Sequence, residues 1–241
     1  EHLRDALLAA VGHDLRSPLA SATAAVSSLR SPDIQWSGQE REELLATAEE
    51  SLGRLARLVA DLLDLSRLRA GVLTVASEPV WLDEVIPPAL DELGLAARDV
   101  RLNLPEDVPP VLADAALLTR ALVNVTGNAL RYSPEGRPPT VAASADGDRV
   151  QLRVIDRGPG IPSMDLQRVF TPFQRLGDTD NRAGLGLGLA LSRGLVEAMG
   201  GTLEAEDTPG GGLTMVLTLP VAAVAPDVQP AEPGQRERQA P

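Results

Sequence analysis

The sequence contains no lysine, because all 22 of its basic residues are arginines. A Walker P-loop needs a lysine on the nucleotide phosphates, and a Ser/Thr/Tyr protein kinase needs one on a strand. A Schiff-base or PLP enzyme needs an amine nucleophile. The absence of cysteine excludes thiol catalysis, disulfides and cysteine-ligated zinc, and two histidines are too few for a histidine-rich metal site.

The chain also lacks a positive net charge: its 34 acidic residues outnumber the 22 arginines, so the 241-residue chain has a net charge of −12. This balance argues against a nucleic-acid partner and against direct binding to an anionic membrane surface. No run approaches the roughly 18 apolar residues of a membrane span. The chain begins at Glu1 without a basic and apolar leader, so we expect a soluble fragment of a longer protein.

Residues 1–70 have the pattern of two helices. Pro18 is expected to interrupt the first, and the loop at residues 30–33 to end it. Ser37 and Glu40 form a capping box for the second helix, whose apolar residues at 48, 52, 55, 59 and 62 follow a heptad spacing. Further leucines make this apolar face of the second helix wider than a single partner helix could cover. We expect a dimeric four-helix bundle, and packing onto the rest of the chain is the alternative.

Residues 71–221 have a different pattern, with short strands and helices separated by proline and glycine. Gly71 should end the second helix, and Asp114 is a predicted N-cap. This mixture without regular alternation predicts an α+β sandwich. Residues 222–241 lack periodicity, so we expect a disordered tail. The predicted strands are residues 73–76, 100–104, 140–145, 150–155, 202–205 and 213–219, and the predicted helices are residues 82–93, 115–132 and 185–199.

A histidine beside a carboxylate occurs in the segment HDLRSPL at residues 13–19. Asp14 could orient His13 or take its proton, so that the imidazole acts as a nucleophile. Taken alone, a surface histidine beside an aspartate is more often simply solvated. Pro18 makes the segment less ordinary, because it removes one helical hydrogen bond and predicts a kink near His13.

A second polar group lies on the predicted helix 115–132. Asn124 and Asn128 are four residues apart and share one face, and Arg131 and Tyr132 follow them. Two carboxamides, a guanidinium and a ring could contact a metal, a phosphate and a flat base. The alternative is a helix surface that faces water.

A third group, DRGPGI at residues 156–161, directly follows a predicted strand. Asp156 could accept a hydrogen bond from an exocyclic amine. Gly158 and Gly160 would let the backbone approach a ligand closely. The alternative is an ordinary turn, because Gly-Pro-Gly favours turns in any case.

A glycine-rich segment, GLGLGL at residues 184–189, leads into the last predicted helix. Backbone N–H groups at a helix N-terminus attract anions, although such a segment alone is a weak signal. The polar stretch before it contains Arg175 and Arg182 and follows Phe170 and Phe173. We interpret residues 170–183 as a mobile lid with an aromatic anchor.

The order of these segments resembles the catalytic core of the sensor histidine kinases of bacterial two-component systems. Residues 13–19 resemble the H box, 124–132 the N box and 156–161 the first glycine box. Residues 169–175 resemble the F box and 184–189 the second glycine box, so the resemblance covers about residues 1–220. It implies a dimerisation and histidine-phosphotransfer hairpin followed by an ATP-binding domain of the Bergerat type.

The resemblance also implies a role for each motif residue. His13 is expected to take the γ-phosphoryl group of ATP and pass it to an aspartate of a response regulator, while Asp14 accepts or orients the proton on the other ring nitrogen. Ser17 stands where many relatives have a threonine or asparagine that helps to dephosphorylate the regulator. A hydroxyl is kept there, so phosphatase activity remains open.

The nucleotide contacts implied by the resemblance follow the same motifs. Asn128 is expected to coordinate Mg²⁺, Arg131 to contact phosphate, and Asp156 to bind the adenine amine beside Tyr132. The cofactors are therefore expected to be ATP and Mg²⁺. The full expected set is Asn124, Asn128, Arg131, Tyr132, Asp156, Gly158, Gly160, Gly184, Gly186 and Gly188, with Arg175 and Arg182 as lid cations.

Residues 9–30, followed by Ser31-Pro32, are similar to the potassium-responsive members of this family. That implies the cytoplasmic portion of an inner- or plasma-membrane protein, with a second copy and a cognate response regulator as partners. A nucleotide-binding scaffold with little kinase activity is one alternative, which the intact His13, Asn128 and Asp156 disfavour. A Bergerat-fold ATPase or anti-sigma serine kinase is another, which the hairpin with His13 and Asp14 disfavours.

Overall fold

The first part of the molecule is a helical hairpin. The computed structural model describes residues 2–94, 99–174 and 186–223. Helices α1 (His2–Leu29) and α2 (Gly38–Ala70) pack antiparallel to each other. The predicted capping box is confirmed, because the Ser37 hydroxyl accepts the Glu40 N–H and the Glu40 carboxylate accepts the Ser37 N–H. Helix α2 ends as predicted at Gly71, whose φ is +66°.

The predicted interruption of α1 at Pro18 is wrong. The helix runs through the proline to Leu29, and Pro18 is buried. A proline inside a helix removes a single backbone hydrogen bond, and helical turns on both sides tolerate that local loss here. At the far end of the hairpin the Trp36 indole N–H donates to the Ser28 carbonyl at 2.9 Å, which fixes the loop between the helices.

The apolar side chains of the hairpin are covered on one side only. Leu58 and Leu65 of α2 are buried against the rest of the chain, whereas Leu52 is 50% exposed and Leu63 is 54% exposed. Packing onto the rest of the chain, the alternative, therefore accounts for part of α2, and the dimeric bundle stays a prediction. We call the uncovered set the apolar stripe of the hairpin: Leu19, Val26, Leu45, Leu52, Val59 and Leu63.

The second part of the chain is an α/β sandwich, as predicted, and we call it the α/β part. Its helices are α3 (Leu82–Leu93), α4 (Ala115–Tyr132) and α5 (Gly188–Ala198). Its strands are β1 (Glu78–Val80), β2 (Arg101–Asn103), β3 (Val111–Ala113), β4 (Thr140–Asp146), β5 (Arg149–Ile155), β6 (Thr202–Asp207) and β7 (Leu213–Pro220). Five strands form one sheet in the order β2-β4-β5-β7-β6, and β1 pairs separately with β3. Only the β2–β4 pair is parallel in the five-stranded sheet.

The core lies between one face of this sheet and the helices. Along β5, Val150, Leu152 and Val154 are buried while the residues between them are half-buried, which is the alternation of a sheet with one covered face. Leu118 and Leu122 of α4 are fully buried in the same cluster. The polar face of α4 is therefore turned away from the core, where it can line a site.

Asp114 begins α4 as the sequence predicts. Its Oδ1 accepts the N–H groups of Ala116 at 3.1 Å and Leu117 at 3.2 Å. Its Oδ2 accepts the N–H of Ala76 at 3.0 Å. The predicted strand at residues 73–76 is wrong, because this N–H bonds to the helix cap instead of to a neighbouring strand. Strand β3, which the sequence did not indicate, lies just before the cap.

The last helix also starts later than predicted. Gly186 has φ +66°, which is left-handed and incompatible with a helix, so α5 begins at Gly188. Of the predicted lid, residues 175–183 lie outside the described residues. Residues 224–241 of the predicted tail also lie outside them, whereas the Ala222 N–H donates to the Pro110 carbonyl at 2.8 Å. In the described ranges no helix is both long and apolar enough to cross a membrane.

Candidate functional site

A cavity of about 500 Å³ opens between the end of α4, the end of β5 and the start of α5. Its wall combines apolar side chains such as Val125 and Met215 with a few polar groups, as small-molecule sites usually do. The predicted site residues that line it are Asn128, Arg131, Tyr132, Asp156, Gly160, Gly186 and Gly188. The structure thus brings three separate sequence segments to one cavity.

Helix α4 supplies the polar side of the cavity. Asn128, Arg131 and Tyr132 project from its last turns, and the Arg131 guanidinium lies 5.6 Å from the centre of the Tyr132 ring. Asn124 lies one turn earlier and is not part of the cavity wall. Its buried Nδ2 has no hydrogen-bond partner among the described residues. A buried amide of this kind needs a partner, so a ligand or water near Gly188 could supply one.

Asp156 lies on the floor of the cavity at the end of β5 and is 6% exposed. Its Oδ1 accepts the N–H of Gly158 at 2.9 Å and the N–H of Leu213 at 2.9 Å. These two bonds fix the carboxylate. Its Oδ2 has no donor among the described residues, so a ligand that offers an N–H could bind there.

Steric crowding explains why two of the predicted site positions are occupied by glycine. A Cβ at Gly158 would lie 2.6 Å from the Tyr132 carbonyl oxygen, so a side chain there would push apart the floor and the end of α4. A Cβ at Gly186 would lie 2.8 Å from the Gln174 carbonyl oxygen. Gly188 is different, because a Cβ there would only touch Asn124 at an ordinary distance of 3.6 Å.

Phe173, which belongs to the predicted lid at residues 170–183, has an unusual backbone conformation. This residue has φ +67°, a left-handed conformation that few residues other than glycine adopt. Its N–H donates to the Gly186 carbonyl at 3.0 Å, which ties the two ends of the intervening segment together. The predicted lid cations Arg175 and Arg182, with Gly184, lie outside the described residues.

The histidine motif lies apart from the cavity on α1. His13 Nδ1 is 3.1 Å from Asp14 Oδ1, and the imidazole is 65% exposed. Ser17 follows one turn later and is also exposed. None of the described residues of α1 lines the cavity. In this arrangement the predicted phosphoacceptor is therefore accessible to solvent and separate from the predicted nucleotide contacts.

Sequence reasoning missed one wall of the cavity, which Leu58 and Asp61 of α2 provide. It also missed Arg120, whose guanidinium joins α4 to Asp61 at 2.7 Å and to Asp64. A signal for these residues was present. The two carboxylates interrupt an otherwise apolar stretch of α2, and Arg120 precedes Asn124 by four residues, which places it on the same face of α4.

Comparison with known proteins gives two family matches along the chain. Residues 3–71 match the His Kinase A (phospho-acceptor) domain, and residues 113–223 match the histidine kinase-, DNA gyrase B- and HSP90-like ATPase family. The Sensor protein KdpD of Rathayibacter rathayi is 49% identical over 97% of this chain. The KdpD of Escherichia coli strain K12 is 35% identical over 95% of it. The chain spans 27% and 26% of the length of these two relatives.

Two solved structures have a similar fold over most of this chain. Full-length ShkA in complex with AMPPNP has a TM-score of 0.65 and 27% identity, covering 92% of this chain and 46% of that one. The Acinetobacter baumannii histidine kinase AdeS has a TM-score of 0.65 and 23% identity, covering 87% of this chain and 98% of that one, and supports the fold. With a phospho-acceptor match, an ATPase-like match and KdpD relatives along nearly its whole length, the chain belongs to the sensor histidine kinase family.

Proposed function

We propose that this chain is a kinase core that phosphorylates its own His13 from ATP and passes the phosphoryl group to an aspartate of a response regulator. The observation that carries the proposal is the fixed carboxylate of Asp156. It offers one oxygen to a cavity that also contains Asn128 and Arg131. A site with a hydrogen-bond acceptor at one end and a cation with carboxamides at the other suits a nucleotide.

In this arrangement the adenine amine donates to Asp156 Oδ2, and the ring lies near Tyr132. The phosphates lie toward Asn128, Arg131 and the N-terminus of α5, where backbone N–H groups and the helix dipole attract anions. Arginine is the only side-chain cation that the sequence can place there. The solved structure of full-length ShkA is a complex with AMPPNP, which supports nucleotide binding by this chain.

The residues present also fit Mg²⁺. The described residues contain no group of three His, Cys, Asp or Glu that could hold a metal by themselves. Mg²⁺ is commonly bound by one or two protein oxygens together with substrate phosphates and water. Asn128 would hold it through its carboxamide oxygen, with Asn124 nearby. When bound, Mg²⁺ supplies charge neutralisation at the phosphates.

The geometry of His13 suits attack on phosphorus. When its proton is on Nδ1, the ring donates to Asp14 Oδ1, and the lone pair of Nε2 is available. A bond forms between Nε2 and the γ-phosphorus, the bond from that phosphorus to the bridging oxygen breaks, and ADP leaves with the electron pair. Asp14 then faces the positively charged phosphoimidazole and stabilises it. Ser17, one turn away, could assist removal of the phosphoryl group from the regulator.

The hairpin also supports a homodimer. The apolar stripe of the hairpin contains six large side chains that the rest of the described chain leaves exposed, and a second hairpin would bury them in a four-helix bundle. We assign dimerisation and phosphotransfer to residues 1–70, ATP binding to residues 71–221 and a tail to residues 222–241. The KdpD relatives suggest the cytoplasmic portion of a membrane sensor that acts in potassium or osmotic signalling.

Incubation with γ-labelled ATP and Mg²⁺ tests the proposal. The chain should acquire an acid-labile, alkali-stable label that His13→Ala removes. His2→Ala is the matched control and should label normally, because the sequence contains no other histidine. Asn128→Ala should also abolish labelling. Label that persists in His13→Ala would refute the assigned nucleophile, and tight ATP binding without any label would favour the scaffold alternative.

A further inference from the structure

An apolar surface lies on the outer side of the small β1–β3 sheet. The strand register pairs Val80 with Val111 and Pro79 with Leu112. Val80 and Val111 are buried, so the alternation along a strand places Pro79 and Leu112 on the opposite, outward face. Trp81, directly after Val80, shares that face and is 46% exposed, while Leu112 is 37% exposed. We call Pro79, Trp81 and Leu112 the Trp81 surface, which the described part of the chain leaves open.

The end of the last strand lies beside the Trp81 surface. Val221 bridges to Val111 in the antiparallel direction, and the Ala222 N–H donates to the Pro110 carbonyl at 2.8 Å. Pro110 is opposite Trp81 in the continued register of β1 and β3. Neighbouring strands are about 4.8 Å apart, so Ala222 is two strand spacings, about 10 Å, from the level of Trp81. About three residues of extended chain span that distance.

The sequence that continues from Ala223 suits an aromatic surface. Residues 224–241 contain four prolines, and the segment PAEP at residues 230–233 has two of them three residues apart. A polyproline II helix has three residues per turn, so these two prolines lie on one side of it. Proline-rich segments of this kind dock on aromatic side chains and lose little entropy, because their backbone is already extended. The segment and the Trp81 surface are therefore complementary in chemistry.

Charges around the Trp81 surface complement the same segment. Asp83 and Glu84 are exposed in the first turn of α3, and the Glu84 carboxylate accepts the Trp81 N–H at 3.2 Å. Arg236 and Arg238 follow the PAEP segment closely in the sequence. Opposite charges attract, so these arginines favour the position in which the prolines lie on Trp81 and the arginines lie toward α3.

The covalent connection favours this segment over the same segment of a second copy. A short flexible tether gives its ligand an effective concentration of about 1 mM. A contact with a Kd of about 0.1 mM is then occupied about nine-tenths of the time within one chain. Between separate chains at about 1 µM, the same contact would be occupied only about 1% of the time.

We propose that the Trp81 surface is a docking site for proline-rich chain and that residues 224–241 of the same chain occupy it. Pro230 and Pro233 pack on the indole of Trp81, and the arginines that follow face the acidic first turn of α3. None of the residues of the Trp81 surface lines the cavity. The docking site is therefore separate from the proposed nucleotide site, and it does not depend on the proposed function.

Tryptophan fluorescence tests the docking. The chain has two tryptophans, so Trp36→Phe leaves Trp81 as the single one, and every chain in the comparison carries this change. Quenching of Trp81 by acrylamide is measured in the full chain and in a chain that ends at Ala223. Circular dichroism establishes that the shortened chain retains the fold.

Full-length variants test the role of the prolines without shortening the chain. The double variant Pro230→Ser and Pro233→Ser removes both rings of the PAEP segment. Pro241→Ser is the matched control, because this proline lies beyond both arginines. A synthetic peptide of residues 224–241 is also added to the shortened chain.

The quenching constant should rise at least about 2-fold in the shortened chain and in the double variant, because a site that was occupied about nine-tenths of the time becomes open. The control should match the full chain, and the peptide should restore shielding. Equal quenching in the full and shortened chains would overturn the docking. Shielding that persists in the double variant would overturn recognition through Pro230 and Pro233. Shielding that falls when the full chain is diluted would identify a second copy as the occupant and overturn docking within one chain.

Discussion

The fixed carboxylate of Asp156 is expected to contribute to both stability and nucleotide affinity, and two substitutions should change these quantities to different extents. Its Oδ1 accepts two backbone N–H groups, at 2.9 Å each, and the residue is only 6% exposed. Asp156→Ala leaves both donors unpaired. A buried unsatisfied group costs about 1–3 kcal/mol, so the variant should lose about 2–6 kcal/mol of unfolding free energy.

Asp156→Asn should behave differently. The carboxamide oxygen can still accept both N–H groups. The loss of unfolding free energy is therefore limited to the part of these hydrogen bonds that depends on the negative charge, about 1–2 kcal/mol. The other oxygen becomes an NH₂ group, which would face the adenine amine as donor against donor. We expect this contact to cost about 2.7 kcal/mol of nucleotide-binding free energy, which corresponds to roughly 100-fold weaker binding.

Thermal unfolding without nucleotide and titration with an ATP analogue measure the two effects. Asp148→Asn, at the exposed turn between β4 and β5, is the matched control and should change neither quantity. An Asp156→Asn variant that binds the analogue like the parent chain would refute Asp156 as the adenine acceptor. An Asp156→Ala variant with unchanged stability would show that the two hydrogen bonds are not energetically important.

Two further predictions concern the backbone. Gly158→Ala should weaken nucleotide binding at least about 10-fold with the fold retained, because its Cβ would lie 2.6 Å from the Tyr132 carbonyl oxygen; unchanged affinity in an ATP-analogue titration would contradict this. Ser37→Ala should lower the unfolding free energy by about 1 kcal/mol, measured by urea unfolding, through loss of the helix cap. Hydrogen bonds from the backbone and side chain of Ser37 lower the pKa of Glu40. The ionised Glu40 carboxylate therefore stabilises the fold fully above the ordinary glutamate pKa, and this stabilisation is lost as the pH falls through the lowered pKa. Glu40→Gln should therefore lose less stability than the parent chain over an acid series, and an identical loss would contradict the capping role.

The features that the sequence predicted correctly are local ones. The caps at Ser37 and Asp114 and the end of α2 at Gly71 depend on residues within three or four positions of each other. Helices α3 and α4 have the predicted limits because their apolar spacing indicates one buried face. Seven of the predicted nucleotide contacts also line one cavity, although their individual roles stay predictions.

The features that the sequence did not predict depend on distant partners. Ala76 is not in a strand because its N–H bonds to Asp114, 38 residues away. The wall that α2 contributes requires knowledge of how two units dock, which periodicity within α2 does not contain. Asp61 and Asp64 interrupt an apolar stretch, and their partner is Arg120 on another element. The sequence shows the charged residues, but which of them pair becomes visible only in three dimensions.

The pairing of β5 with β7 has a consequence for biosynthesis. Asp156, at the end of β5, receives one of its two hydrogen bonds from Leu213, which is 57 residues later in the chain. While the ribosome is still making the intervening residues, β5 has a partner in β4 but an open edge on its other side. The floor of the cavity is thus completed only after β7 emerges, long after the histidine-bearing hairpin. A nascent chain would therefore complete the hairpin that carries His13, the proposed phosphoacceptor, well before it could form the proposed nucleotide site.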